Sequence, residues 1–238
     1  MSLVICLQFY EGDIAQARTL AEFIAEIEPK KRDDVRVRFV ARGDCDQMDM
    51  GTIQLVSHKF DVSWIHANTK VSGWPAGPNA LAMEILSTAP AWLKAAGWSD
   101  ADGILLLEPD CCPLQRDWLD QILAEWAIAL AERKWIMGSW RASGPNCGHV
   151  NGNCVVVPDI GKRLGIHYYP EHLAWDCWIA QRVQAHWRIS GAFLNKFQSV
   201  NATEEILRTP EVGTEPPAIV HGYKDDSAYL IARKWILP

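Results

Sequence analysis

No stretch of this 238-residue chain has enough consecutive apolar residues to span a bilayer, and none of its seven cysteines stands in a C-x-x-C pair. The cysteine count is odd, and Cys111 and Cys112 are adjacent, which argues against both a disulfide framework and a zinc ribbon. Cys6, Cys45, Cys111, Cys112, Cys147, Cys154 and Cys177 therefore read as reduced thiols. The opening segment, Met1 to Asp13, lacks a basic leader and its apolar run is short, so no signal peptide is expected. Together these features point to the cytoplasm, where the sequon Asn201-Ala202-Thr203 carries no weight. Positive charge is also short: the net charge of -6 weighs against nonspecific binding to nucleic acid. Internal repeats and low-complexity linkers are absent. A single domain is expected over residues 1–238, with one half to residue 140 and a second from residue 141.

Apolar side chains make up 49% of the residues, enough for a full core without staples. Twelve tryptophans are the compositional oddity, and flat indoles suit both core packing and the stacking of bases or sugars.

Val4 to Phe9 is a short apolar run that breaks at Glu11-Gly12-Asp13, which predicts a buried strand and a turn. Ile14, Ala17, Leu20, Ala21, Ile24 and Ile27 recur at helical spacing until Pro29, with Asp13 as N-cap. Val35 to Ala41 alternates apolar residues with Arg36 and Arg38, predicting a second strand, and Val62 to Ile65 a third. The turn-rich run Gly73 to Asn79 opens a helix that reaches about Ala96. Gly103 to Leu107 is the most apolar strand, followed by a helix with Trp118, Leu119, Ile122, Leu123, Trp126 and Leu130 on one face. A strand follows over Trp135 to Trp140. Alternating strands and helices predict an α/β fold with a mostly parallel sheet covered on both sides. From Ala142 onward the pattern loosens into short strands, loops and one helix around Trp175 to Trp187.

Two carboxylates, Glu108 and Asp110, stand just past the most apolar strand, at the sheet edge where open α/β folds bind ligands. Partly burying two acids together is costly unless a cation neutralises them, and Mg²⁺ or Mn²⁺ prefers carboxylate oxygens. Near the C-terminus, His221-Gly222-Tyr223-Lys224 offers an imidazole for a metal and an ammonium for a phosphate. His149, Asn151 and Asn153, read as a turn before an apolar strand at Cys154 to Val157, can hydrogen-bond sugar hydroxyls. His58, His66, His167, His172 and His186 have no partners at telling spacings and read as structural or surface residues.

In joint order these motifs resemble GT-A glycosyltransferases, where a D-x-D-type motif follows a central strand and a later histidine completes the metal site. Glu108-Pro109-Asp110 resembles the acidic motif with Glu in the first place, and His221-Gly222-x-Lys224 a compressed form of the C-terminal run that meets the diphosphate. The resemblance implies a GT-A-like fold with an elaborated C-terminal half, Mn²⁺ or Mg²⁺ as cofactor, and a nucleotide sugar, a UDP-sugar foremost, as donor. Metal ligands would be Glu108, Asp110 and His221. Phe9, Glu11 and Asp13 would lie near base and ribose, Arg42 and Asp44 would border the base pocket, and Trp74, Gly77 and Asn79 would form the loop and helix start beside the nucleotide, with Lys224 on the phosphates. Asp176, at a helix start in the C-terminal half, would act as catalytic base toward the acceptor, with Trp175 beside it.

The compact chain also resembles small bacteriophage glycosyltransferase-like proteins, some of which place sugars on hydroxymethylated pyrimidines in DNA. A glycan or lipopolysaccharide is the other acceptor class, and a nucleotide-sugar-binding module without turnover the alternative to an enzyme. Nucleotidyltransfer ranks last, because Tyr10-Glu11-Gly12-Asp13 is acidic where those enzymes carry a basic glycine-rich loop.

Overall fold

The computed structural model describes residues 1–141, 148–165 and 172–237. Cys147 and His167 lie outside them. The chain begins with β1 (Leu3–Phe9), α1 (Ile14–Ile27), β2 (Val35–Ala41), α2 (Met50–Ser57), β3 (Asp61–His66) and α3 (Ala76–Ala95). Next come β4 (Gly103–Leu107), β5 (Cys111–Pro113), α4 (Trp118–Ala131), β6 (Ile136–Arg141), β7 (His149–Val156) and α5 (Ile160–Leu164). The chain continues through α6 (Trp175–Val183), β8 (Trp187–Ile189), β9 (Phe193–Ser199), α7 (Glu204–Arg208), β10 (Ile219–Tyr223) and α8 (Ser227–Ile236).

A seven-stranded sheet runs in the order β3-β2-β1-β4-β7-β6-β8. β1 pairs in parallel with β2 and β4, and β2 with β3, while β7 runs antiparallel to both its neighbours, β4 and β6. β1 and β4 are buried at every residue, as parallel strands covered on both faces must be. Because β1, β2 and β4 run the same way, their carboxyl ends bring Phe9, Arg42 and Glu108 to one edge of the sheet. A second sheet, β5-β10-β9, stacks the C-terminal half against that edge. The α/β fold with a mostly parallel sheet, expected from the sequence, is therefore the observed one. Among the described residues, no helix is long and apolar enough to cross a membrane, and Cys6, Cys45, Cys111, Cys112 and Cys154 are free thiols.

The expected elements through α4 are present with small shifts at their ends. α2 had not been expected: its apolar positions are few, and its clearest signal is Asp49, whose side chain accepts from Thr52 N at 3.0 Å as an N-cap. Of the two arginines that alternate with apolar residues in β2, Arg38 is buried, its guanidinium over the Trp92 ring and donating to Ser63 Oγ, because α3 covers that face too. The supposed turn at His149 to Asn153 is the first half of β7, with its polar side chains turned into a buried polar layer. The helix expected to reach Trp187 ends at Val183, and after one 3-10 turn Trp187 opens β8. His221 lies on strand β10.

Candidate functional site

Directly after β4 the chain turns at Glu108-Pro109-Asp110, where Cys111 N donates to Glu108 O. Asn153 on β7 fixes this turn from the side: its Oδ1 accepts Glu108 N at 2.7 Å and the Cys111 thiol at 3.1 Å. Opposite, β10 pairs antiparallel with β5, which carries His221 to the two acids. His221 Nε2 lies 3.0 Å from Glu108 Oε2 and 3.3 Å from Asp110 Oδ1. Behind it, Nδ1 meets Asn195 Oδ1 at 3.1 Å, which fixes the ring so that Nε2 faces the carboxylates. Gly222 follows with φ of 101°, a backbone shape that disfavours a side chain, and its N–H reaches Asp110 O. That bend delivers Lys224, whose Nζ donates to Asp110 Oδ2.

In the ligand-free chain the two carboxylates are thus balanced by two cations. Burial opposes charge on His221, but hydrogen bonds and charge attraction from Asp110 and then Glu108 outweigh it and raise its pKa to about 10. Burial likewise opposes the Asp110 carboxylate, yet His221 and Lys224 hold its pKa below the usual range. The donor set fits a hard divalent cation. One ligand atom from each of Glu108, Asp110 and His221 lies within 4.8 Å of the others. Ligands about 2.1 Å from a metal and at right angles stand about 3.0 Å apart, close to the spacings seen here.

Glu108, Asp110 and Lys224 edge a cleft of about 590 Å³, a size suited to a nucleotide-scale ligand, while His221 stands behind the two acids and outside the lining. Its lining contains Phe9, Asp13, Arg42, Trp74, Gly77, Glu108, Asp110 and Lys224, so most of the expected donor-side residues share one cavity. Trp74 is 69% exposed at its rim. Asp44 pairs with Arg42 from outside, and Glu11 is exposed next to the lining. Asn79 has a different place. It is buried, its amide donates to Leu173 O, and its Oδ1 accepts Trp175 N, which ties α3 to the start of α6. Gln8 and Tyr10 line the cleft without having been singled out, and Asn195 had no sequence signal at all. Tyr10 lies under the Arg42 guanidinium, 5.2 Å from ring centre to Cζ.

Asp13 is the third acid of the cleft. Burial is the main cause that raises its pKa, from 3.8 to about 7, with Glu108 and Asp110 adding repulsion. An acid with a raised folded pKa stabilises the fold below its unfolded pKa and loses that contribution as pH rises toward 7. Asp13→Asn, which keeps an acceptor for Tyr10 N, is therefore expected to stabilise the ligand-free chain by about 1–3 kcal/mol at pH 8 and by nothing at pH 3. Thermal melts of both chains at the two pH values check this.

The residues expected on the acceptor side lie outside the cleft lining, although Asn153 among them holds the Glu108 turn. His149, Asn151, Asn153, Trp175 and Asp176 are all buried, and none of them lines the cleft. Asp176 Oδ2 accepts Gly152 N at 2.9 Å, and Oδ1 accepts Cys177 N at 2.8 Å.

No family model matches this chain, and no curated protein matches it. Solved structures do. TarS 1-349 of S. aureus superposes with a TM-score of 0.52 at 11% identity, over 99% of this chain and 64% of that one. This chain thus spans less than two thirds of TarS 1-349. The galactosyltransferase LgtC, solved with donor and acceptor sugar analogs, gives 0.57 at 13% identity, over 99% and 96% of the two chains. Mouse xyloside xylosyltransferase 1 gives 0.51 at 10% identity, over 93% and 98%. At such identities the likeness establishes the fold, which is that of GT-A glycosyltransferases.

Proposed function

We propose that this protein is a metal-dependent glycosyltransferase that takes a sugar from a nucleotide-sugar donor and passes it to a hydroxyl of an acceptor. One observation carries the reading: Glu108, Asp110 and His221 converge at the carboxyl edge of a GT-A sheet, and the two acids line a nucleotide-sized cleft. TarS 1-349, which shares the fold, has been crystallised with UDP. A UDP-sugar is accordingly the first donor to test here.

In this reading Glu108, Asp110 and His221 hold Mn²⁺ or Mg²⁺, which when bound offsets negative charge on a diphosphate leaving group. Lys224 sits at the rim with its side chain 47% exposed and can turn from Asp110 to the phosphates. Tyr10 and Arg42 offer a flat, cationic surface to a base, and the N-terminus of α3, with Gly77 and Pro78 in the lining, adds a positive helix end. Asn195 keeps His221 turned toward the carboxylates. As acceptor, a glycan suits the net charge of -6 better than DNA does, because DNA binding rewards a basic surface.

The test is a thermal-shift screen of nucleotide sugars with and without Mn²⁺. A ligand at about a hundred times its Kd stabilises the folded chain by about 2.7 kcal/mol. A UDP-sugar is expected to raise Tm by several degrees in the presence of Mn²⁺ and much less in its absence. A panel of nucleotide sugars that leaves Tm unmoved under both conditions refutes the proposal.

A further inference from the structure

We infer that this chain has a second metal site, distinct from the cleft, in which His149, Asp176 and Cys177 hold a borderline-soft divalent cation of the Zn²⁺ class. The three residues join two elements: His149 opens β7, while Asp176 and Cys177 form the first turn of α6. One ligand atom from each lies within 4.8 Å of the others.

The spacings suit ligands around one cation. His149 Nε2 is 3.4 Å from Asp176 Oδ2 and 3.5 Å from Cys177 Sγ. Ligands about 2.05 Å (N or O) and about 2.3 Å (S) from a tetrahedral centre stand about 3.3 Å apart for N–O and about 3.6 Å for N–S. The imidazole is only 2% exposed, and its partners among the described residues are Asp176 Oδ2 and Cys177 Sγ, both of them metal-ligand types. Sγ lies 3.6 Å from Nδ1 as well, so the thiol stands beside the ring at nearly equal distance from its two nitrogens.

Charge favours the same answer. A thiolate and a carboxylate bring two negative charges to a place where Asp176 and His149 are at least nine-tenths buried, and a divalent cation cancels both. The thiol separates this site from the O,O,N set at Glu108, Asp110 and His221, because sulfur selects softer metals. Cys177 is partly exposed, so the cation has a path in and a fourth position for water. The assignment gives Asp176 the task of a ligand, in place of the acceptor-side base that its position at a helix start suggests. A bound cation would fasten α6 to β7 beside Gly152, whose position against Trp175 Nε1 leaves little room for a side chain.

The inference is independent of the glycosyltransferase reading, and its test does not use activity. The full chain is stripped of metal with a chelator, dialysed and titrated with Co²⁺ while its absorption is recorded. A thiolate-to-cobalt charge-transfer band in the near ultraviolet that saturates at one equivalent is expected. It should persist in Asp110→Ala and disappear on displacement by Zn²⁺. Cys177→Ser should abolish the band, and His149→Gln should weaken Co²⁺ binding at this site at least about tenfold. Circular dichroism shows which variants are folded; if Cys177→Ser is not, His149→Gln decides. Folded wild-type chain that shows no such band in excess Co²⁺ overturns the inference. So does a band that survives Cys177→Ser, one lost in folded Asp110→Ala, or unchanged affinity in His149→Gln.

Discussion

Asp110→Asn is expected to lower metal-dependent turnover of the nucleotide-sugar donor by at least about a thousandfold. Asp110 is held at three points: one oxygen faces His221 Nε2, the other accepts from Lys224, and its backbone carbonyl receives Gly222 N–H. It is 7% exposed, so little water can replace what the substitution removes. Asparagine keeps the size and one acceptor but not the charge that draws a cation. Deleting the side chain outright would leave His221 and Lys224 facing one another with a single acid, and loss of one partner from a buried charge cluster costs about 3–5 kcal/mol. The isosteric change is therefore the cleaner probe. Released nucleotide, followed by chromatography with Mn²⁺ present, gives the number. Glu108→Gln should cost less, since Glu108 is a third exposed and contacts only His221 among the cations. A folded Asp110→Asn chain with wild-type turnover would remove the metal from the proposal. Tight donor binding by the wild-type chain with no turnover would favour the binding module.

The largest expected loss of stability lies away from the site, in Trp126→Ala. Trp126 on α4 is fully buried, and its Nε1 donates to Asp102 O, just before β4 begins. Gly103, the first residue of β4, lies so close that an added Cβ would stand 2.5 Å from that nitrogen. The indole thus locks α4 onto the strand that leads to Glu108 and Asp110. Replacing a buried Trp by Ala costs about 3–5 kcal/mol through the cavity and the lost contacts, against a total of about 5–15 kcal/mol for a folded domain. For a chain of this size that is a fall in Tm of about 10 °C. Urea unfolding monitored by circular dichroism measures it. A cost below about 1 kcal/mol would mean that α4 is not fixed to β4 through this contact.

The first half of the fold was legible because its signals are local. Continuous apolar runs such as Val4 to Phe9 and Gly103 to Leu107 mark strands buried on both faces, and the three- and four-residue spacing in α1 and α4 marks amphipathic helices. The second half resisted because its strands are short or carry polar residues: β7 begins His149-Val150-Asn151-Gly152-Asn153 and looks like a turn, since the polar layer that receives those side chains is assembled from distant segments. The burial of Arg38 has no local signal for a related reason: the indole that covers it, Trp92, stands more than fifty positions away.

What the sequence determined by itself is the alternation of strands and helices and, with it, the edge at which Glu108 and Asp110 emerge, because period and chain direction are properties of neighbouring residues. Tertiary structure alone decided that His221, 113 positions beyond Glu108, would close on the acids. It also decided that Asn79 would tie α3 to α6 and that His149, Asp176 and Cys177 would gather. Those meetings depend on how the second sheet and α6 pack against the first sheet, and packing is settled by contacts between segments far apart in the chain, which no local pattern records.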